Sequence, residues 1–506
     1  MEESKLIEIL RTLRGRELGM FLEYVQSPYI NKHAQLQELA LYLAKFAPAY
    51  LHKEKLDKYY IFAQLYPDTP YDDNVFYSLF SKLLRLVYSF LSHQEWEKEK
   101  GLEEVFLLRQ LRERKVGDKH ALAAHRRFAS LQKQPPSSGK EELYRHWDDF
   151  LLYRELDLDF LGRGGRSYDE NLQLKNNRLD LLFLVEKLKI ACDMLNRNIV
   201  TQAEYQPTML AELLQYIDNQ NIDNQSIEAD KNSIFAEPSL LIYRCIIDTL
   251  REIDNLAHYQ QLKTLLLKHY QSVERQEASN MFGYLLNYCI RKINAGQVDF
   301  FEEIWQHYQL LVETQIIYIN GELPPWEYKQ IITTALRLGK NDWCRDFAEQ
   351  YKNDLPEDSR ENAYCYNMAA IHYSNQHYRD ALMALQNTEF TDTTYQLGAR
   401  ILQVKAYYEL NESDALRSLF ESFAVYIRRS KEISDYRKTA NNNFIRFARK
   451  IYQCKTQWRE NLATKTYINQ KIKDIEAEMI NRQPTANKDW LQNIIDQLKA
   501  NISEKK

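Results

Sequence analysis

Apolar residues recur along this chain at the spacing of a helix face. Phe76, Leu79, Phe80, Leu83, Leu84, Val87, Phe90 and Leu91 follow the i, i+3, i+4, i+7 rule without a break. They form one stripe that must pack against neighbouring helices. Leu181, Leu184, Val185, Leu188, Ala191 and Leu195 repeat the pattern in LDLLFLVEKLKIACDML. Alternating, strand-like runs are absent and valines are few, as befits low β-content. The pattern predicts an all-α fold.

Turn-forming residues divide the helices. KQPPSSGK (Lys133 to Lys140) cannot continue a helix. Ser138 followed by Glu141 makes a capping box, so a helix is expected to start there and run through EELYRHWDDFLLYREL. LGRGGRS (Leu161 to Ser167) breaks it again, and the polar stretch from Tyr216 to Pro238 reads as a long exposed loop. Pro324 and Pro325 suit the first turn of a further helix. These breaks predict an N-terminal helical region over 1–132, a middle helical bridge over 140–220, helical hairpins over 239–430 and a basic helical segment over 431–506.

The hairpin region matches itself. MAAIHYSNQHYRDALMAL and LQVKAYYELNESDALRSL place Met368/Leu402, Tyr373/Tyr407, Ala381/Ala415 and Leu385/Leu419 each 34 residues apart. A looser copy, ITTALRLGKNDWCRDFAEQY, precedes them, and Tyr284 to Tyr308 has the same helix–turn–helix look. Here the chain resembles the tetratricopeptide-repeat superfamily, whose unit is a 34-residue helix hairpin. Ala369, Tyr378 and Ala381 occupy that pattern's small, aromatic and alanine places, and Leu338, Gly339 and Trp343 echo the turn and aromatic. The copy around Ala415 lacks the aromatic and is about one residue short in its turn, and the initial Trp and terminal Pro are missing. The resemblance implies stacked hairpins sharing a core, an α-α superhelix, and a concave face suited to a peptide or a partner helix. It implies no catalytic centre.

Composition narrows the alternatives. The 506 residues include 13 glycines, too few for the phosphate-cradling turns of a nucleotide-binding α/β enzyme. Lys+Arg 67 against Asp+Glu 71 gives a net charge of −4, too balanced to announce nucleic acid or an acidic membrane for the whole molecule. Six scattered cysteines with no C-x-x-C pair fit buried thiols in a reducing compartment. The N-terminus opens on two acids and is no signal peptide, and no apolar run approaches the roughly 18 residues of a spanning helix. Cytoplasmic residence without a membrane partner is the expectation. The 35 tyrosines serve for the most part as packing between helices.

Candidate binding residues come from two sources. In members of the superfamily that hold a peptide's terminal carboxylate, basic and amide side chains on successive first helices point into the groove. By that register Lys329, Asn367 and Lys405 correspond here, with Arg400 close by and Tyr373 on the same helix as Asn367. Thr333 stands where the usual second amide would be. Such an array would grip a carboxylate through charge-assisted hydrogen bonds. Arg428 to Lys465 holds eleven Lys/Arg against three acids, with aromatics interleaved. Arg446, Arg449, Lys450 and Arg459 are its candidates for nucleic acid or another polyanion. Phe444, Phe447, Ile451 and Cys454 fall at helical spacing there, which assigns them to a core.

Enzymatic readings find less. GRGGRS, with Arg163 and Arg166, lacks the lysine-hydroxyl ending of a P-loop. Asp148, Asp149, Asp157 and Asp159 form an acidic patch without a histidine pair. Glu142/His146 and Glu303/His307 share helix faces and read as surface pairs. A helix–turn–helix around Pro67 and Pro70 offers only Lys82 and Arg85 to a phosphate backbone. The expectation is a non-enzymatic scaffold for a protein or peptide partner, with no cofactor and no metal.

Overall fold

The computed structural model describes residues 4–116, 123, 126, 127, 130, 142–162, 164–201, 204–219, 237–386 and 393–504. Among them are 22 α-helices and no strand, so the fold is all-α. The linker expected at 133–140 and the Ser138/Glu141 capping box lie outside the described residues, as does Arg163. The described residues divide into two compact units, which meet in sequence at Lys187 and Leu188.

The first unit opens with α1 (Lys5–Leu10), α2 (Arg16–Gln26), α3 (Ala34–Ala44), α4 (Lys58–Leu65) and α5 (Asp73–Lys98). Asp72 caps α5 by accepting from the Asn74 and Val75 amides at 2.7 and 3.2 Å. Helices α1, α2 and α3 all pack on α5. The predicted stripe does this: Phe76, Leu79, Phe80, Leu83, Val87 and Phe90 are buried, with Phe21, Leu39 and Phe62 opposite them. By length and composition α5 is also the one helix among the described residues able to cross a membrane. Lys82 and Arg85 interrupt its apolar sequence, and its apolar stripe is spent on the core of this unit.

Helices α6 (Lys100–Glu113) and α7 (Glu142–Gly162) pair next, followed by α8 (Glu170–Thr201). Glu155 on α7 takes Arg109 and Arg112 from α6 at 3.4 and 2.8 Å. The expected acidic patch is occupied as well. Arg178 reaches Asp149 at 3.3 Å and Lys175 reaches Asp157 at 2.5 Å. The glycines of LGRGGRS end α7. Gly164, at φ +81°, donates to Leu161, Gly165 donates to Phe160, and a side chain at Gly165 would collide with the Phe160 ring.

In the second unit, α9 (Leu210–Asn219) carries helix into the stretch expected as loop, whose residues 220–236 are not among those described. Leu213, Leu214 and Ile217 give it an apolar face to bury. Thirteen further helices follow: α10 (Pro238–Arg251), α11 (Leu256–His269), α12 (Arg275–Asn294), α13 (Phe300–Glu313), α14 (Pro325–Arg337), α15 (Asn341–Gln350), α16 (Arg360–Ser374), α17 (Tyr378–Gln386), α18 (Thr393–Leu410), α19 (Ser413–Arg429), α20 (Asp435–Arg459), α21 (Lys465–Asn481) and α22 (Lys488–Glu504). From α10 on, each helix packs on the next, and α14, α16 and α18 also touch in succession.

Four hairpins turn in the same way, as does the α20–α21 connection at Asn461. After α12, α14, α16 and α18, one residue takes positive φ: Gly296, Gly339, Gln376 and Asn411. Its amide donates three residues back, and the following amide donates five residues back, at 2.9 to 3.4 Å. This pair of bonds satisfies two carbonyls that the helix end leaves open. The two glycines adopt the conformation without steric cost, whereas Gln376 costs roughly 1 kcal/mol. Small residues then bring the α16–α17 arms together, since Ala369 and Ala381 are fully buried in one cluster with Leu385.

Candidate functional site

Residues of α14, α16, α18 and α20 and the connection between α21 and α22 line an open cavity of about 440 Å³. Lys329 comes from α14, Tyr366 from α16, and Gly398, Ile401 and Lys405 from α18. Tyr436, Arg437 and Asn441 of α20 and residues 484–487 complete the wall. Gly398 is needed at this point, because a methyl group there would stand 2.8 Å from the Tyr366 ring. Tyr395 donates to the Pro325 carbonyl at 2.8 Å and so ties the start of α18 to the start of α14.

The cavity is positive. Among the described residues its lining holds Lys329, Lys405 and Arg437 and neither Asp nor Glu. The Lys329 ammonium lies 4.6 Å from the Tyr366 ring centroid and 5.4 Å from that of Tyr395. Lys405 donates to Asn487 Oδ1 at 2.7 Å. Burial pushes its pKa down to about 8, with Arg337 acting in the same direction and Asp489 against it. Asn441 is 6% exposed; its amide nitrogen donates to the Arg437 carbonyl, and its Oδ1 has no hydrogen-bond partner.

The expected residues are placed unevenly. Lys329 and Lys405 meet in the cavity, but Asn367 does not reach it. It is 1% exposed and donates back to the Ala363 carbonyl at 2.8 Å, so Tyr366 is the α16 residue in the wall. Arg400 stacks its guanidinium 4.7 Å from the Tyr426 ring centroid, outside the lining. Tyr373 is also outside it and accepts from Trp490 Nε1 at 3.0 Å. Tyr373 and Lys405 are thus both engaged by the chain's own segment at the start of α22. That segment is fastened by Ala486 N–H donating to Ala440 and by Asn443 donating to Pro484. Arg437, Asn441 and residues 484–487 were not among the sequence candidates, and only the basic character of the α20 region pointed towards the first.

The polyanion candidates have other partners. Glu478 of α21 pairs with Arg446 at 2.7 Å, with Arg482 at 3.1 Å and with Lys450. Arg449 lies over Phe420, and Arg459 pairs with Glu460 at 3.3 Å. Phe444, Phe447, Ile451 and Cys454 are buried, as their spacing predicts.

The histidines of the two expected surface pairs are not at the surface. His146 is buried, and the side chain of Glu142 lies outside the description. His307 is 2% exposed because α11 covers it: Tyr259 Oη lies 3.0 Å from its Nε2 and donates to Glu303 at 2.9 Å, and Lys263 reaches Glu303 at 2.6 Å. Burial and Lys263 lower the His307 pKa to about 4 against the pull of Glu303, so the ring is neutral at pH 7. Burial likewise raises the Cys245, Cys289 and Cys344 thiols, which keeps them protonated. No protein-family model, curated protein or solved structure matches the chain.

Proposed function

We propose that the second unit is a non-enzymatic scaffold of tetratricopeptide-like hairpins, wound as a superhelix, that binds a protein or peptide partner. The packing of α14, α16 and α18 in succession, with Ala369 and Ala381 buried together where α16 meets α17, supports the repeat reading. The observation that carries the function is the cavity whose charged lining residues, among those described, are Lys329, Lys405 and Arg437. Three cations gathered in one wall suit an acidic group on the partner, such as a terminal or side-chain carboxylate. The buried, unpartnered Oδ1 of Asn441 supplies an acceptor for an N–H next to that group.

The ion pairs of Arg446 and Lys450 with Glu478 favour this reading over polyanion binding, since a phosphate backbone would have to compete with a carboxylate already in place. The test is a photo-crosslinking residue at Tyr436, which is 70% exposed at the cavity rim, in the full chain in its native host. Discrete protein adducts that vanish with Lys329→Glu and Lys405→Met are expected. Adducts indifferent to both substitutions would overturn the proposal.

A further inference from the structure

We propose that the turn between α16 and α17 is a site for a divalent transition metal, with His372, His377 and Asp380 as its protein ligands. Each side chain offers one donor atom, and the three atoms lie within 4.8 Å of one another. The turn itself accounts for this proximity. In the two-bond motif that ends these helices, the residues joined by the longer-range bond stand side by side, and their contact is commonly apolar. Here that bond runs from the His377 amide to the His372 carbonyl at 2.9 Å, so two imidazoles fill the place, their centroids 6.5 Å apart. The corresponding pairs in the other hairpins are Lys292/Gln297, Ala335/Lys340 and Tyr407/Glu412, none of which pairs two metal-binding side chains. Asp380 follows His377 by three residues at the start of α17, on the same helix face.

Two imidazoles and one carboxylate suit Zn²⁺, Co²⁺ or Ni²⁺, whereas Mg²⁺ and Ca²⁺ favour oxygen throughout. A tetrahedral ion with bonds of about 2.0–2.2 Å sets its donors roughly 3.4 Å apart. Closing the gap takes side-chain rotation only, and His377 is exposed and has room to turn. The fourth position is left for water. His372 is half-buried, with His377, Asp380 and Arg345 as its charged or titratable neighbours. Arg345 of α15 is exposed and can point its charge into solvent.

The test is titration of the full chain, stripped of metal, with Co²⁺ at pH 7.5. One equivalent with a visible d–d band is expected, together with a rise in melting temperature. His377→Ala and Asp380→Asn should each weaken uptake by more than about tenfold. His93→Ala, at an exposed His–Glu pair on α5, should leave it unchanged. Absence of the band at millimolar Co²⁺, or a band of equal strength in folded His377→Ala, would overturn the proposal.

Discussion

Lys405 shows what a place in the cavity wall costs a single residue. Its ammonium, half-buried in the wall, faces one amide oxygen and the ring of Trp490, and burial has taken its pKa down to about 8. In the unfolded chain the same group titrates near its ordinary value of 10.5. Between those two values the unfolded state binds more protons than the folded one, so this group's penalty shrinks as pH rises. Lys405→Met keeps the length and removes the charge. The variant is expected to be more stable than the parent by roughly 1–3 kcal/mol at pH 7, with the difference narrowing from pH 8 to 9.5. Urea unfolding of both chains across that range checks it, and a constant difference would contradict it. If an acidic group enters the cavity, it should also raise this pKa and take up a proton.

At the scale of elements, the two clearest copies differ in register. Ala381 is fully buried against Ala369, but in the next hairpin Leu416, not Ala415, is the buried residue. The turn residue Asn411 follows Gln376 by 35 positions, not 34, because α18 runs on before it turns, and this explains the offset of one place. Ala381→Leu should therefore cost about 1–3 kcal/mol through overpacking, while Ala415→Leu should cost much less; comparable losses in urea unfolding would refute the assigned register.

The same geometry explains what could be read from the sequence at this scale. Helices were legible because a 3.6-residue period survives any local irregularity, and α5 buries the predicted stripe. Side-chain direction was less so. One position on a helix is about 100° of rotation, which is the difference between Tyr366 in the cavity wall and Asn367 in the core. For Glu303 and His307, the spacing fixed a shared face but carried no sign of Tyr259 and Lys263 lying over it. The turn at Gly339 was visible as a glycine; the equivalent at Gln376 was hidden in an ordinary residue.

Across the second unit, distant parts of the chain cooperate at one place. Trp490 packs 5.3 Å from Tyr408 and 5.8 Å from Phe444, ring to ring, and bonds to Tyr373. Nothing in the spacing of these residues connects them, and so residues 484–490 escaped the sequence reading of the site. Trp490→Ala should cost about 2–4 kcal/mol and speed hydrogen exchange in α21 and α22 while leaving α1 to α5 unaffected. Equal acceleration in both units would argue against this assignment.

The cavity wall at residues 484–487 also has a temporal meaning. A ribosome delivers Lys329, Tyr366 and Lys405 well before it delivers Asn487 and Trp490, so a nascent chain displays the lysines before their closing wall exists. Any ligand met during that interval would encounter a wider and wetter mouth than the finished molecule offers.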